Sequence, residues 1–183
     1  MTAIILEKRK VVTMKHEYSS TQLQLPPAVA DKVTALAESI PDEDLAEDGR
    51  EDDVHITVKY RLHTNDPGKV RRVLFNEPPV TVKLGNTSFF SASESGDADV
   101  VKVDVESPDL RRLNRKISKA LEHSDTHKTY TPHVTVAYVK PGKGKDYKGR
   151  SDLAGQTVTI DHLLFSGKNG TKVSIPLTGK VPD

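Results

Sequence analysis

Hydrophobic and polar residues alternate along several short segments, and each alternation predicts a β-strand. The first such segment covers residues 21–25, Thr-Gln-Leu-Gln-Leu. Successive side chains of a strand point to opposite faces, so this pattern buries one face and leaves the other polar. Further strands are predicted over residues 80–91, 100–105, 156–165 and 172–177.

Two other segments carry hydrophobic residues at spacings of three and four, which predicts amphipathic helices. The first opens at Pro26-Pro27 and the second at Ser107-Pro108, both typical of helix N-termini. A shorter helix is predicted after Asp66-Pro67. The expected buried positions of the two long helices are Val29, Val33, Leu36 and Ile40, and Leu110, Leu113, Ile117 and Leu121.

Two strand-like segments have nearly the same sequence. Residues 55–60 are His-Ile-Thr-Val-Lys-Tyr and residues 133–138 are His-Val-Thr-Val-Ala-Tyr, so the histidines are 78 positions apart (55 to 133). In each segment the alternation puts His and Thr on one face and the hydrophobic residues, with Tyr60 or Tyr138, on the core face. The repeat indicates a rough internal duplication, and therefore an α+β fold of two similar halves around a cleft.

Other histidine patterns are weaker. His127-Lys128-Thr129 also has the His-x-Thr spacing but lacks hydrophobic alternation, and we interpret it as a chance match. His123 and His127 have the spacing of two zinc ligands on a helix, but Ser124 stands where a zinc protease has glutamate. We expect solvated histidines at a helix C-terminus and no metal site. The alternative for the two repeated segments is a pair of edge strands with polar outer faces.

The overall composition limits the classes of ligand. The chain of 183 residues has 27 Lys and Arg against 26 Asp and Glu, a net charge of +1, and no cysteine. Disulfides and cysteine zinc sites are therefore excluded, and a long basic track for single-stranded nucleic acid is disfavoured. The apolar run at residues 3–6 is too short for a signal peptide or membrane span. We expect a cytoplasmic monomer that binds no membrane, with residues 1–17 as an extension of a single domain, 18–183.

The two His-hydrophobic-Thr strands resemble the paired motifs of the 2H phosphoesterase superfamily, the 2′-5′ RNA ligase-like and cyclic phosphodiesterase proteins. The resemblance extends over residues 18–178. It implies a bilobal, pseudo-twofold fold with two antiparallel sheets flanked by helices around a central groove. It also implies metal-independent cleavage of phosphodiesters or cyclic phosphates, without a cofactor.

The residue types suit that chemistry. Histidine has an ordinary pKa near 6.5, so of His55 and His133 one can accept a proton while the other donates one. Thr57 and Thr135 can donate hydrogen bonds to phosphate oxygens in the transition state. The two histidine roles stay open. The expected substrate is a small nucleotide, a cyclic oligonucleotide or a short RNA; the alternatives are a non-catalytic nucleotide or RNA binder and an RNA 2′-5′ ligase.

Three further residues are predicted to contact the substrate. Tyr18 precedes the first strand, where its ring could stack on a base or its hydroxyl could bind phosphate. Lys143 and Lys145 belong to the loop 140–150 after the second motif strand, which could close over a phosphate-bearing ligand. The alternative is a core tyrosine and a loop that only connects two strands.

Overall fold

The computed structural model describes residues 16–125 and 127–180. The helices are α1 (Pro27–Glu38), α2 (Pro67–Val73), α3 (Ala92–Ser95) and α4 (Pro108–Ala120), with 3₁₀ turns at Asp42–Asp44 and Gly144–Tyr147. The strands are β1 (Ser19–Gln24), β2 (Leu45–Arg50), β3 (His55–Leu62), β4 (Val80–Phe90), β5 (Asp99–Glu106), β6 (His133–Val139), β7 (Thr157–Ile160), β8 (His162–Ser166) and β9 (Lys172–Pro176). The predicted N-terminal extension falls mostly outside the described residues.

The strands form one curled antiparallel sheet in the order β7-β4-β5-β6-β3-β1-β8-β9, with β2 paired to β6. The predicted α+β architecture with antiparallel strands is confirmed. The two expected sheets are joined where β3 pairs with β6, at Ile56 opposite Val134. Both side chains are fully buried, so the join belongs to the hydrophobic core.

The two halves of the sheet are related by a pseudo-twofold axis at this join. On one side the strand order outward is β6-β5-β4-β7, and on the other it is β3-β1-β8-β9. The unit β1-α1-β3 therefore corresponds to β5-α4-β6. The C-terminal strands β8 and β9 complete the N-terminal half, which explains why the internal repeat is incomplete along the chain.

The two long helices cover the core face of the sheet. Ser107 caps the N-terminus of helix α4, and its hydroxyl accepts a hydrogen bond from the Leu110 amide at 3.2 Å. The helix residues Leu110, Leu113 and Ile117 are fully buried, as predicted, and each contributes roughly 1.5–3 kcal/mol of hydrophobic stabilisation. Helix α1 starts at Pro27 and buries Val29, Val33 and Leu36 in the same core.

A β-bulge interrupts each motif strand at the same place. Thr57 and Lys59 lie opposite the consecutive residues Gln22 and Thr21, so Val58 has no partner on β1. An extra residue of this kind reverses the alternation beyond it. Tyr60 is consequently 55% exposed, and the prediction that it faces the core is wrong. The same shift occurs at Val136, where β5 pairs with β6, and Tyr138 is only partly buried.

The prediction of solvated histidines at a helix C-terminus is also wrong for His123. Helix α4 ends at Ala120, and His123 instead forms an isolated β-bridge with Leu62. Within residues 16–125 and 127–180, no three His, Cys, Asp or Glu side chains are grouped as metal ligands would be. No helix in the same part of the chain is long and apolar enough to cross a membrane.

Candidate active site

The register between β3 and β6 brings the two motifs together crosswise. Because the strands are antiparallel and Ile56 lies opposite Val134, His55 lies beside Thr135, and Thr57 lies beside His133. Laterally adjacent Cβ atoms are about 5 Å apart in such a ladder, and His and Thr of one motif are about 7 Å apart along the strand. All four side chains are partly exposed, on the face of the sheet opposite to the buried Ile56 and Val134, which we call the groove face. The structure thus places two imidazoles and two hydroxyls around one space.

Both histidine rings are held by the same hydrogen bond. Nδ1 of His55 bonds the carbonyl oxygen of Asp53 at 2.6 Å, and Nδ1 of His133 bonds that of Thr131 at 2.7 Å. A carbonyl oxygen only accepts, so Nδ1 carries the proton in each ring. In the neutral form Nε2 then has a free lone pair. Each histidine can therefore accept a proton at Nε2 and, once protonated, donate it from the same atom.

The surroundings of His133 favour its neutral form. The edge of the ring meets the Phe90 ring, with centroids 5.2 Å apart and an interplanar angle of 85°. Burial lowers the pKa of His133; the hydrogen bond to Thr131 opposes this, and the positive charge of Lys102 adds to it. We therefore expect His133 to be neutral at neutral pH, ready to accept a proton.

Lys102 is a buried cation on the strand next to the second motif. It lies on β5 opposite Thr135 and is 5% exposed. Its ammonium donates to Asp104 Oδ1 at 2.6 Å and to Ser88 Oγ at 2.5 Å, and it lies 4.6 Å from the centroid of the Phe90 ring. These contacts fix both the cation and the aromatic ring that covers His133.

The charged group near His55 is a carboxylate, that of Asp53, whereas the one near His133 is the ammonium of Lys102. Asp53 Oδ2 is 3.8 Å from His55 Nδ1 and accepts a hydrogen bond from Lys172 at 3.1 Å. Burial acts to raise the pKa of Asp53, but the hydrogen bond and charge of Lys172, with smaller contributions from His55 and Gln24, outweigh it and keep this pKa below its usual value. The two histidines therefore lie in electrostatically different halves.

A cavity of about 490 Å³ adjoins Thr57 and His133. Its walls include Phe90, Tyr130 and Arg61. The Tyr130 hydroxyl donates to the Thr57 carbonyl at 2.7 Å, and burial raises the pKa of this phenol, which keeps it protonated. The cavity thus continues the groove on the His133 side, with aromatic and cationic walls.

Tyr18 does not reach the four motif side chains. It precedes β1, whose first residue pairs with Leu62 at the far end of β3 from His55. Its ring stacks on His63 with centroids 5.7 Å apart, and the Arg61 guanidinium lies 5.3 Å from its centroid. Tyr18 therefore supports Arg61, which is itself part of the cavity wall.

Lys143 and Lys145 lie at the end of β6 remote from His133. Backbone amides of Gly142 and Gly144 donate to the buried Asp99 carboxylate at 2.9 Å each, which pins the loop to β5. Lys143 Nζ lies 3.7 Å from Asp44 Oδ1. The structure does not bring either lysine into the groove beside the motifs.

Several residues of the site escaped the sequence analysis, namely Arg61, Phe90, Lys102 and Tyr130. For Lys102 a signal existed: it alternates with valines in β5, so it had to point away from the core together with Asp104. Phe90 is distant from both motifs in the sequence, and Tyr130 precedes His133 by three residues but belongs to a segment without a strand pattern. Only the curl of the sheet and the path of the segment before β6 bring them to the groove.

The curled antiparallel sheet with its two equivalent halves is that of a 2H phosphoesterase fold. The profile of the 2′-5′ RNA ligase superfamily matches residues 25–165 of the chain. The chain therefore belongs to this superfamily. None of the curated proteins matches its sequence.

Solved structures of low sequence identity share the fold. Escherichia coli LigT complexed with 3′-AMP is 15% identical with a TM-score of 0.59, covering 90% of this chain and 96% of LigT. TT0787 of Thermus thermophilus is 16% identical with a TM-score of 0.61, covering 89% of this chain and 99% of its own. Kluyveromyces marxianus Usb1 with uridine monophosphate is 13% identical with a TM-score of 0.57, covering 91% and 100%.

Proposed function

We propose that this protein is a metal-independent phosphodiesterase that cleaves a phosphodiester or cyclic phosphate in a small nucleotide, a cyclic oligonucleotide or an RNA end. The observation that carries the proposal is the crosswise register of β3 and β6, which sets His55 and His133 at opposite corners of the site with a threonine beside each. General acid–base chemistry at phosphorus needs a proton acceptor and a proton donor on opposite sides of the reacting group.

In the proposed reaction His133 is the general base and His55 the general acid. Nε2 of neutral His133 takes the proton of a water or ribose hydroxyl, whose oxygen bonds to phosphorus. The bond from phosphorus to the leaving oxygen breaks, and Nε2 of protonated His55 gives that oxygen its proton. This assignment follows from the buried surroundings of His133, which favour its neutral form and leave the role of proton donor to His55.

The two threonines take the charge that develops on phosphate. Thr57 and Thr135 lie on the same face between the histidines, so their hydroxyls can donate to the non-bridging oxygens. A nucleotide ligand agrees with the relatives, because LigT was solved with 3′-AMP and Usb1 with uridine monophosphate.

A substrate panel tests the proposal. Nucleoside 2′,3′-cyclic phosphates, cyclic oligonucleotides, 2′-5′ and 3′-5′ dinucleotides and short RNAs with cyclic phosphate ends are incubated with the protein, with and without EDTA. We expect turnover of at least one of these, undiminished by EDTA. Activity that EDTA abolishes and Mn²⁺ or Zn²⁺ restores would contradict the metal-free mechanism. Nucleotide binding without any turnover would indicate a binding module, and joining of RNA ends would indicate a ligase.

A further inference from the structure

We propose that the cavity beside Thr57 and His133 holds one nucleoside of the substrate, with the reacting phosphate at the motifs and a second phosphate at Arg61. The substrate is then an oligonucleotide and not a lone nucleoside cyclic phosphate. The inference rests on the proposed function and narrows its substrate class. Arg61 lines the cavity and belongs to β3, the same strand as Thr57.

The backbone of Arg61 has an unusual conformation. Its φ angle is +57°, in the left-handed region that favours glycine, and only Asn76 shares this among the other non-glycine residues described. Strained conformations of this kind cluster at ligand-binding and catalytic sites. Arg61 is four residues beyond Thr57, so their Cα atoms are separated by up to about 13 Å along the strand. A nucleoside fits between a phosphate at the motifs and one at the guanidinium.

The guanidinium of Arg61 is positioned but incompletely bonded. It lies 5.3 Å from the centroid of the Tyr18 ring and 5.9 Å from that of Tyr60, so cation–π contacts hold it in place. Its Nε is buried and has no hydrogen-bond partner among the described residues. A planar guanidinium with free donors is the group best suited to bind a phosphate through two hydrogen bonds.

The other charged side chains of the cavity are less suited than Arg61 to bind the second phosphate. Lys59 donates to Asp125 at 2.6 Å, so this carboxylate offsets the charge of Lys59, and it also lies 3.2 Å from His123. Glu94 accepts a hydrogen bond from the Ser91 amide in the capping box of α3. Lys128 is exposed at the cavity and adds a second positive charge.

The remaining walls suit a nucleoside. Phe90 and Tyr130 line the same cavity as Thr57, His133 and Arg61. Flat aromatic rings provide stacking surfaces for bases of any sequence. A volume of about 490 Å³ is in the range of sites for small organic ligands. The cavity therefore offers a stacking wall and a second anion site in addition to the reacting centre.

Binding of two non-substrate probes tests the second phosphate site. Adenosine 3′-monophosphate and adenosine 3′,5′-bisphosphate contain no diester, so their affinities are measured by calorimetry without turnover. We expect the bisphosphate to bind on the order of 10- to 100-fold more tightly. Arg61→Gln should remove this advantage and leave the monophosphate affinity within about twofold. The matched control is Arg71→Gln, since Arg71 is exposed on α2 outside the cavity, and it should change neither affinity.

A second variant guards against misfolding. Arg61→Gly removes the guanidinium but suits the positive φ angle, so it should fold at least as well as the wild type and show the same loss as Arg61→Gln. Equal affinity of the wild type for the two probes would overturn the inference. So would an advantage of the bisphosphate that survives in Arg61→Gly.

Kinetics separate this inference from the proposed function. A dinucleotide that carries a second phosphate should show the Arg61 effect in kcat/KM, and a nucleoside 2′,3′-cyclic phosphate should not. Turnover of both with no Arg61 effect would leave the phosphodiesterase standing and refute the second phosphate site. No turnover of either, with the bisphosphate advantage present and dependent on Arg61, would refute the proposed chemistry and retain the site.

Discussion

Replacement of each motif histidine by alanine is the sharpest test of the crosswise site. His55→Ala and His133→Ala each remove one proton-transfer group and leave the other three motif side chains in place. A general acid or base contributes roughly 10²- to 10⁴-fold in rate, which is about 3 to 5 kcal/mol of transition-state stabilisation. We expect losses of this size in kcat for either variant.

The structure predicts little effect of these changes on folding. Both side chains point into the groove, and each makes one hydrogen bond to a backbone carbonyl, of Asp53 or Thr131. Loss of such a bond costs about 0.5–1.5 kcal/mol, which lowers Tm by a few degrees, on the order of 2–4 °C per kcal/mol in a chain of this size. The fully buried Ile56 and Val134, which join the two halves, are unchanged.

The assay is steady-state kinetics on the preferred substrate from the panel, with thermal unfolding in parallel. The matched control is His162→Ala, because His162 is a partly exposed histidine that pairs with Asp161 and not with the motifs. The double variant should lose far less than the product of the single losses, because the two histidines act as one unit. A single variant with near-wild-type kcat and an intact fold would refute the two-histidine mechanism.

Two further predictions concern the threonines and pH. Thr57→Val and Thr135→Val should each lower kcat by about 10- to 1,000-fold with a small change in KM, as expected for loss of one hydrogen-bond donor to the transition state. A change in KM alone would show that the threonine hydroxyls bind the substrate in its ground state. Because burial lowers the pKa of His133, kcat/KM should stay high below pH 6.5 and fall only as the pH passes below the His133 pKa. The stabilisation linked to this group is present above pH 6.5 and is lost as the pH falls, since the unfolded chain takes up the proton first. The role of His133 as base is checked by pH-rate profiles of the wild type and of Lys102→Met. Removal of the positive charge should move the fall of kcat/KM on the acid side to higher pH. A fall at unchanged pH would contradict the role of His133 as base.

The sequence by itself determined the secondary structure around the site and the identity of the four motif residues. The spacing of Leu110, Leu113 and Ile117 was sufficient to predict α4, because a residue's place on a helix face depends only on its near neighbours. The same holds for the motif strands up to Thr57 and Thr135. The repeated pattern also implied the two similar halves, because two equal strand-helix-strand units have equivalent places in a sheet.

Only the tertiary structure decided how those parts meet. The pairing of Ile56 with Val134 joins positions 78 apart (56 to 134) and sets which threonine lies beside which histidine. The bulges at Val58 and Val136 depend on partner strands, and they reversed the expected orientation of Tyr60. The buried Asp99 held the loop of Lys143 and Lys145 away from the motifs. Register, bulges and loop docking result from contacts between distant segments, whereas periodicity records only the local chain.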